Sequence, residues 1–176
     1  MTYRGIIAEA MEWLGAQERT WCLGYNTKYS KAAGTLSNWP EDRITEMPLA
    51  EALIGSCAIG MALDGKIPMV WLERADFIFL MLDSIVNHAD KLSKLSDGLH
   101  KPAIIYRICV GNKNAPLFTG PTHTQNPAAA IAQLVEFPVV SLLWKDSILI
   151  EYQKAYKRAL EGTSTMLFER KDLYET

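Results

Sequence analysis

Residues 45–72 read TEMPLAEALIGSCAIGMALDGKIPMVWL, and the change of character along this stretch decides the fold. Pro48 is welcome in a first helical turn and predicts a helix start, while Asp64-Gly65 predicts its end. Ile67 to Leu72 is then a continuous apolar run, the mark of a strand covered on both faces. A covered helix leading into a covered strand is the unit from which α/β proteins are built.

The same alternation extends outward. Helices are predicted over Tyr3–Leu14, Asp76–Leu95 (a long one), Ala128–Leu134 and Ser147–Leu160, and strands over Thr20–Gly24, Pro102–Cys109, Phe137–Leu143 and Thr165–Glu169. The expected architecture is α/β: a three-layer, doubly wound, mostly parallel sheet of about six strands with helices on both faces, in a single domain spanning residues 1–176. Two long turn-rich loops, 26–40 and 111–127, each follow a strand. They are expected at the carboxyl ends of the strands, where such sheets bind ligands.

Composition narrows the function. Of 176 residues, 49% are apolar and 22% charged, and the net charge is −2. No basic face announces nucleic acid or a membrane surface as a partner. Cys22, Cys57 and Cys109 are far apart, with neither disulfide nor zinc spacing, and read as reduced thiols. The N-terminal stretch has an acid inside its apolar part and does not read as a signal peptide. The apolar run 52–63 falls short of the about 20 residues a bilayer requires. A soluble, cytoplasmic protein with no metal ligands of its own is expected.

Glu51 is the unexpected residue. A carboxylate in a first turn gains from the helix dipole, so capping is one reading. The rest of the helix favours another. Ala52, Ser56 and Gly60 form a stripe of small residues and the opposite face is apolar, so the helix is expected to be buried nearly all round. A carboxyl covered by a closed pocket can hold a proton near neutral pH and act as a general acid. In the 76–95 helix, Asp83, Asn87 and Asp90 make a stripe read as solvated or subunit-facing, so neighbouring His88 is not nominated.

Taken together, several segments resemble the pyrimidine-binding domain of thiamine diphosphate enzymes, of the transketolase and 2-oxoacid dehydrogenase beta-subunit type. They are Met47-Pro48-Leu49-Ala50-Glu51, the helix to Gly65, Pro68-Met-Val-Trp71, Phe77, Asp83-Ser-Ile-Val-Asn87-His88-Ala89-Asp90-Lys91, the strand bearing Arg107, Gly120-Pro-Thr-His123-Thr-Gln125 and Pro138-Val-Val-Ser141. The resemblance implies that Glu51 hydrogen-bonds a ring nitrogen of the cofactor's aminopyrimidine and so activates it. It implies that Phe77 stacks on that ring, with core packing as the alternative. Leu49 would line the pocket. His123 would meet substrate and move protons, unless it is a solvated loop residue.

Departures from the family pattern bear on the partner. Where the family has Leu-Gly-Glu-Asp, this chain has Leu23-Gly24-Tyr25-Asn26. Glu73 replaces an apolar pocket residue, and pairing with adjacent Arg74 is expected. Family subunits continue beyond the segment matching Thr165–Glu169, and this sequence is expected to act without that further domain. The Gly-Asp-Gly…Asn element that grips diphosphate and Mg2+ is not found in it. The resemblance therefore implies a separate diphosphate-binding alpha-type subunit, an alpha2beta2 heterotetramer, and a 2-oxoacid or ketose substrate. A small two-subunit 2-oxoacid decarboxylase component, a non-catalytic scaffold paralogue and a flavodoxin-like domain for another ligand stand as alternatives.

Overall fold

The computed structural model describes residues 1–112 and 120–176, so the part of the second loop prediction that covers 113–119 lies outside the described residues. Six strands, β1 (Thr20–Gly24), β2 (Ile44–Glu46), β3 (Ile67–Leu72), β4 (Ile105–Val110), β5 (Val139–Ser141) and β6 (Thr165–Arg170), form one sheet in the order β2-β1-β3-β4-β6-β5. Every neighbouring pair is parallel. The expected α/β architecture is present, and its sheet is parallel throughout rather than mostly so.

Alternation of side chains through the sheet builds two cores. Met69 and Trp71 of β3 face helices α1 (Tyr3–Gly15) and α5 (Lys145–Leu160). Val70 and Leu72 face α2 (Glu51–Leu63), the helical segment 75–89 and the short α4 (Ala128–Ile131). Because both faces are covered, every residue of β3 and β4 is buried, and this accounts for the unbroken apolar character of β3. Among the described residues no helix is long and apolar enough to cross a membrane.

Three expectations are corrected. The helix does not begin at Pro48. Ala50 N–H closes a tight turn on the Pro48 carbonyl at 2.7 Å, and α2 starts at Glu51 itself. Nor is α2 buried all round in this chain: Ala52, Leu53, Ser56 and Gly60 are exposed. The close-packed small residue is instead Gly55, where an added Cβ would lie 2.1 Å from Ser84 Oγ and 2.6 Å from Met81 Cγ. Finally, the predicted long helix over 76–95 is broken into a 3-10 segment Ala75–Met81, a π segment Ser84–Ala89 and the short α-helix α3 (Leu92–Leu95). Its buried residues Ala75, Ile78, Met81 and Ser84 recur every third position, the 3-10 period. The chain then widens, with Asp90 N–H reaching the Ile85 carbonyl at 3.1 Å. This shift spoils the predicted polar stripe. Asp90 turns inward, its side chain 2% exposed, and accepts from the Glu136 backbone N–H at 2.7 Å.

The loop after β1 contains an uncommon conformation. Lys31, Ala32, Ala33 and Gly34 all have positive φ (51°, 48°, 59° and 81°), one turn of left-handed backbone. Each non-glycine residue there costs roughly 1–2 kcal/mol. Leu36 and Trp39, both buried, and the Lys31–Glu41 ion pair at 2.6 Å hold it in place.

Beneath the sheet, Arg107 of β4 and Glu169 of β6 form a fully buried bidentate pair at 3.0 and 3.1 Å. Tyr174 donates its hydroxyl to the same carboxylate, and the guanidinium lies 4.4 Å from the Trp71 ring centre. Burial opposes the Arg107 charge, but Glu169 together with Tyr152 and Tyr174 holds its pKa above the ordinary range. Burial pushes the neighbouring Cys109 thiol up to about 12, and the Glu169 charge adds to the effect.

Candidate functional site

A cavity of about 200 Å³ opens beyond the carboxyl ends of β1 and β3. Leu49, Glu51, Phe77 and His123, the residues singled out from the sequence, all line it. Each arrives by a different route. Leu49 and Glu51 come from the turn that begins α2, and Phe77 from the 3-10 segment that follows β3. His123 ends a short turn, Pro121–His123. Gly111, just past β4, lets this turn approach: a Cβ there would sit 2.0 Å from the His123 carbonyl oxygen.

Glu51 is 6% exposed, and its carboxyl has no hydrogen-bonding or ionic partner among the described residues. Position alone satisfies the capping reading, since the positive end of the α2 dipole favours its charge. The cavity adds what capping does not require, a covered carboxyl facing a space of ligand size. Phe77 is half-buried and meets His123 edge-on, with ring centres 5.1 Å apart and planes at 88°. The His123 Nδ1 lies 2.9 Å from Thr122 Oγ1. Ile54, Trp71 and Leu72 supply apolar wall.

The two departures noted in the sequence, Tyr25 and Glu73, also line the cavity. Glu73 does not pair with Arg74 as expected. Its Oε2 accepts instead from Asn26 Nδ2 at 3.0 Å. Three supporting residues went unnoticed in the sequence. Asn26 has a left-handed backbone, φ 59°, and its N–H donates to Glu46 at 2.7 Å. Glu46 also accepts from Lys28 N–H at 2.7 Å and Thr27 Oγ1 at 3.0 Å, so one carboxylate shapes the turn after β1. Asp76, 6% exposed, accepts from Gln125 N–H at 3.1 Å and ties the His123 loop to the Phe77 segment. An acid beside a turn is a faint signal for such roles, and no spacing rule would have located these contacts.

The mitochondrial pyruvate dehydrogenase E1 component subunit beta of Saccharomyces cerevisiae is 30% identical over 132 residues, covering 72% of this chain and 35% of that protein. The corresponding subunit of Rickettsia bellii is 26% identical over 147 residues, covering 80% and 44%. A solved structure described as split gene transketolase, inactive beta4 tetramer, superposes with a TM-score of 0.65 at 17% identity over 96% of this chain and 50% of that one. The chain is a relative of these beta subunits and has a transketolase-like fold. It spans about 35–44% of the length of these curated relatives. No family model matches it.

The cavity fits the flat, nitrogen-bearing half of thiamine diphosphate. It offers a covered carboxyl without a partner among the described residues, an aromatic side chain and apolar walls. Among the described residues, no three His, Cys, Asp or Glu side chains are grouped to hold a metal ion.

Proposed function

We propose that this domain binds the aminopyrimidine of thiamine diphosphate and activates it through Glu51, as the beta-type subunit of a cytoplasmic split enzyme. Glu51 would hold a proton against a ring nitrogen, Phe77 would pack on the ring, and Leu49 would close one wall. His123, at the Phe77 edge, would move a proton at the substrate. The bound cofactor would supply the electron sink for 2-oxoacid decarboxylation or for ketol or acyl transfer. Its diphosphate and Mg2+ would be held mainly by a separate alpha-type subunit in an alpha2beta2 assembly. The exposed small-residue face of α2, with Leu53 beside it, is available to such a partner.

One observation carries this reading: the carboxyl of Glu51 is covered, has no partner among the described residues and lies on the wall of the same cavity as Phe77 and His123. Calorimetric titration of thiamine diphosphate and Mg2+ into the domain mixed with its diphosphate-binding subunit is expected to show saturable binding. The domain alone is the comparison and should bind far more weakly. In the reconstituted enzyme Glu51→Gln should lower turnover by about 10²–10⁴-fold, the usual contribution of a placed acid or base, without changing assembly. Unchanged turnover would overturn the catalytic role. It would favour the scaffold reading, to which Tyr25 and Glu73 on the cavity wall lend support.

A further inference from the structure

Glu73 is the part of the cavity that the proposed function leaves unused. It closes β3 beside the buried Trp71 and Leu72, on the wall of a cavity that already contains the Glu51 carboxyl. Two carboxyls on one small, largely apolar cavity are costly unless something with donors lies between or beside them. Neither forms an ion pair among the described residues, and Arg74, next in sequence, does not neutralise Glu73. Glu73 is also not free to swing away. Asn26 Nδ2 holds Oε2 at 3.0 Å, and Asn26 is itself fixed through its N–H by Glu46 at 2.7 Å. A chain of two hydrogen bonds thus sets one carboxylate oxygen and leaves the other, Oε1, without a partner among the described residues.

We propose that Glu73, braced by Asn26, is a second recognition carboxylate of this cavity and selects a ring bearing an exocyclic amino group over one bearing a carbonyl at that edge. The inference rests on the reading of the cavity as an aminopyrimidine site. An amino N–H can donate to Oε1, whereas a carbonyl oxygen there would face a carboxylate with no proton between them. A hydrogen bond to a charged acceptor, lost and replaced by repulsion, changes affinity by at least about tenfold. Glu73 does not act on the reacting atoms, so its role is positioning and selection rather than catalysis.

The test uses the full chain mixed with its diphosphate-binding subunit and Mg2+, with the diphosphates of thiamine and of oxythiamine as ligands. The two ligands differ only at this edge, where oxythiamine carries a carbonyl and thiamine the amino group. Affinities are read from ligand NMR titration. The wild type is expected to favour thiamine diphosphate by about tenfold or more. In Glu73→Gln, whose amide can still accept from Asn26 and can also donate, the ratio should collapse to about one. Asn26→Gly keeps the left-handed backbone but releases Glu73, and should give an intermediate ratio. Glu51→Gln should weaken both ligands together and leave the ratio alone. Equal wild-type affinities, or a ratio that Glu73→Gln does not change, would overturn the role of Glu73 while Glu51→Gln still reports on the site. Binding of neither ligand by the wild type would overturn the aminopyrimidine reading, and the inference with it.

Discussion

Glu169 and Glu51, two of the carboxylates almost wholly withdrawn from water, are treated in opposite ways. Glu169, 0% exposed, receives two bonds from Arg107 and one from Tyr174. Glu51, 6% exposed, receives none from the described residues. A buried charge is tolerated when partners replace its lost hydration. Glu169 has partners within the fold and is structural. Glu51 has an open cavity instead, and under the proposed function a ligand there would supply what the described residues do not. Burial by itself does not separate the two; the presence or absence of partners does.

The contrast can be strained hardest at Arg107. Arg107→Met leaves the buried Glu169 charge with only the Tyr174 hydroxyl and should cost about 3–5 kcal/mol in urea unfolding, with most of the loss recovered in the double variant Arg107→Met/Glu169→Met. A single-variant loss below about 1 kcal/mol would mean that the pair is not stabilised as drawn. The surroundings of Glu169 also set a pH limit. Burial, with Glu169 adding to it, raises the Cys109 pKa from 9.0 to about 12, and burial raises Cys22 from 9.0 to about 12. A folded-state pKa above the unfolded value contributes stability that is complete below the unfolded pKa and is lost as pH rises toward the folded one. The urea midpoint should therefore fall as pH climbs from 9.0 toward about 12. A thiol reagent at pH 8 should reach half-buried Cys57 before buried Cys22 or Cys109.

On the Glu51 side, effects on stability should be smaller and local. Gly55→Ala drives a methyl into Ser84 and Met81 and should cost about 1–3 kcal/mol. Gly60→Ala meets nothing within 4 Å and should stabilise the isolated chain by about 0.5–1 kcal/mol, readable as a rise in melting temperature. Smallest of all, Glu51→Gln should change the unfolding free energy by no more than about 0.5 kcal/mol, because no hydrogen bond or ion pair among the described residues is lost. A large loss there would reveal a structural carboxylate and erase the distinction from Glu169.

What could be read in the sequence follows from how local each signal was. β3 was found to the residue because a strand covered on both faces is apolar at every position. β2 was missed because Ile44-Thr45-Glu46 has one fully buried residue and pairs only with β1 at the sheet edge. The break in the 76–95 helix was missed because the apolar run Phe77–Leu82 carries no period from which a 3-10 turn could be told from an α turn. Glu51 and Phe77 stood out through their spacing within a recognised pattern. The Asn26–Glu73 bond did not. Its partners are 47 residues apart and meet only because Gly24 and Trp71 stand side by side in the β1–β3 register. The small-residue stripe pointed to a real feature of α2 but to the wrong face, since Gly55, outside that stripe, makes the close contact.

The strand order also constrains how the molecule can be made. β6 lies between β4 and β5, so neither can complete its pairing until residues 165–170 have left the ribosome. Parallel neighbours offer no hairpin as a local start, and every pairing must close a long loop first. Until that last strand arrives, Arg107 is committed to an interior in which Glu169 is still missing. A nascent chain of this kind presents an open sheet edge and a cation without its carboxylate through the 62 residues of synthesis that separate Arg107 from Glu169, the period in which a chaperone has the most to shield.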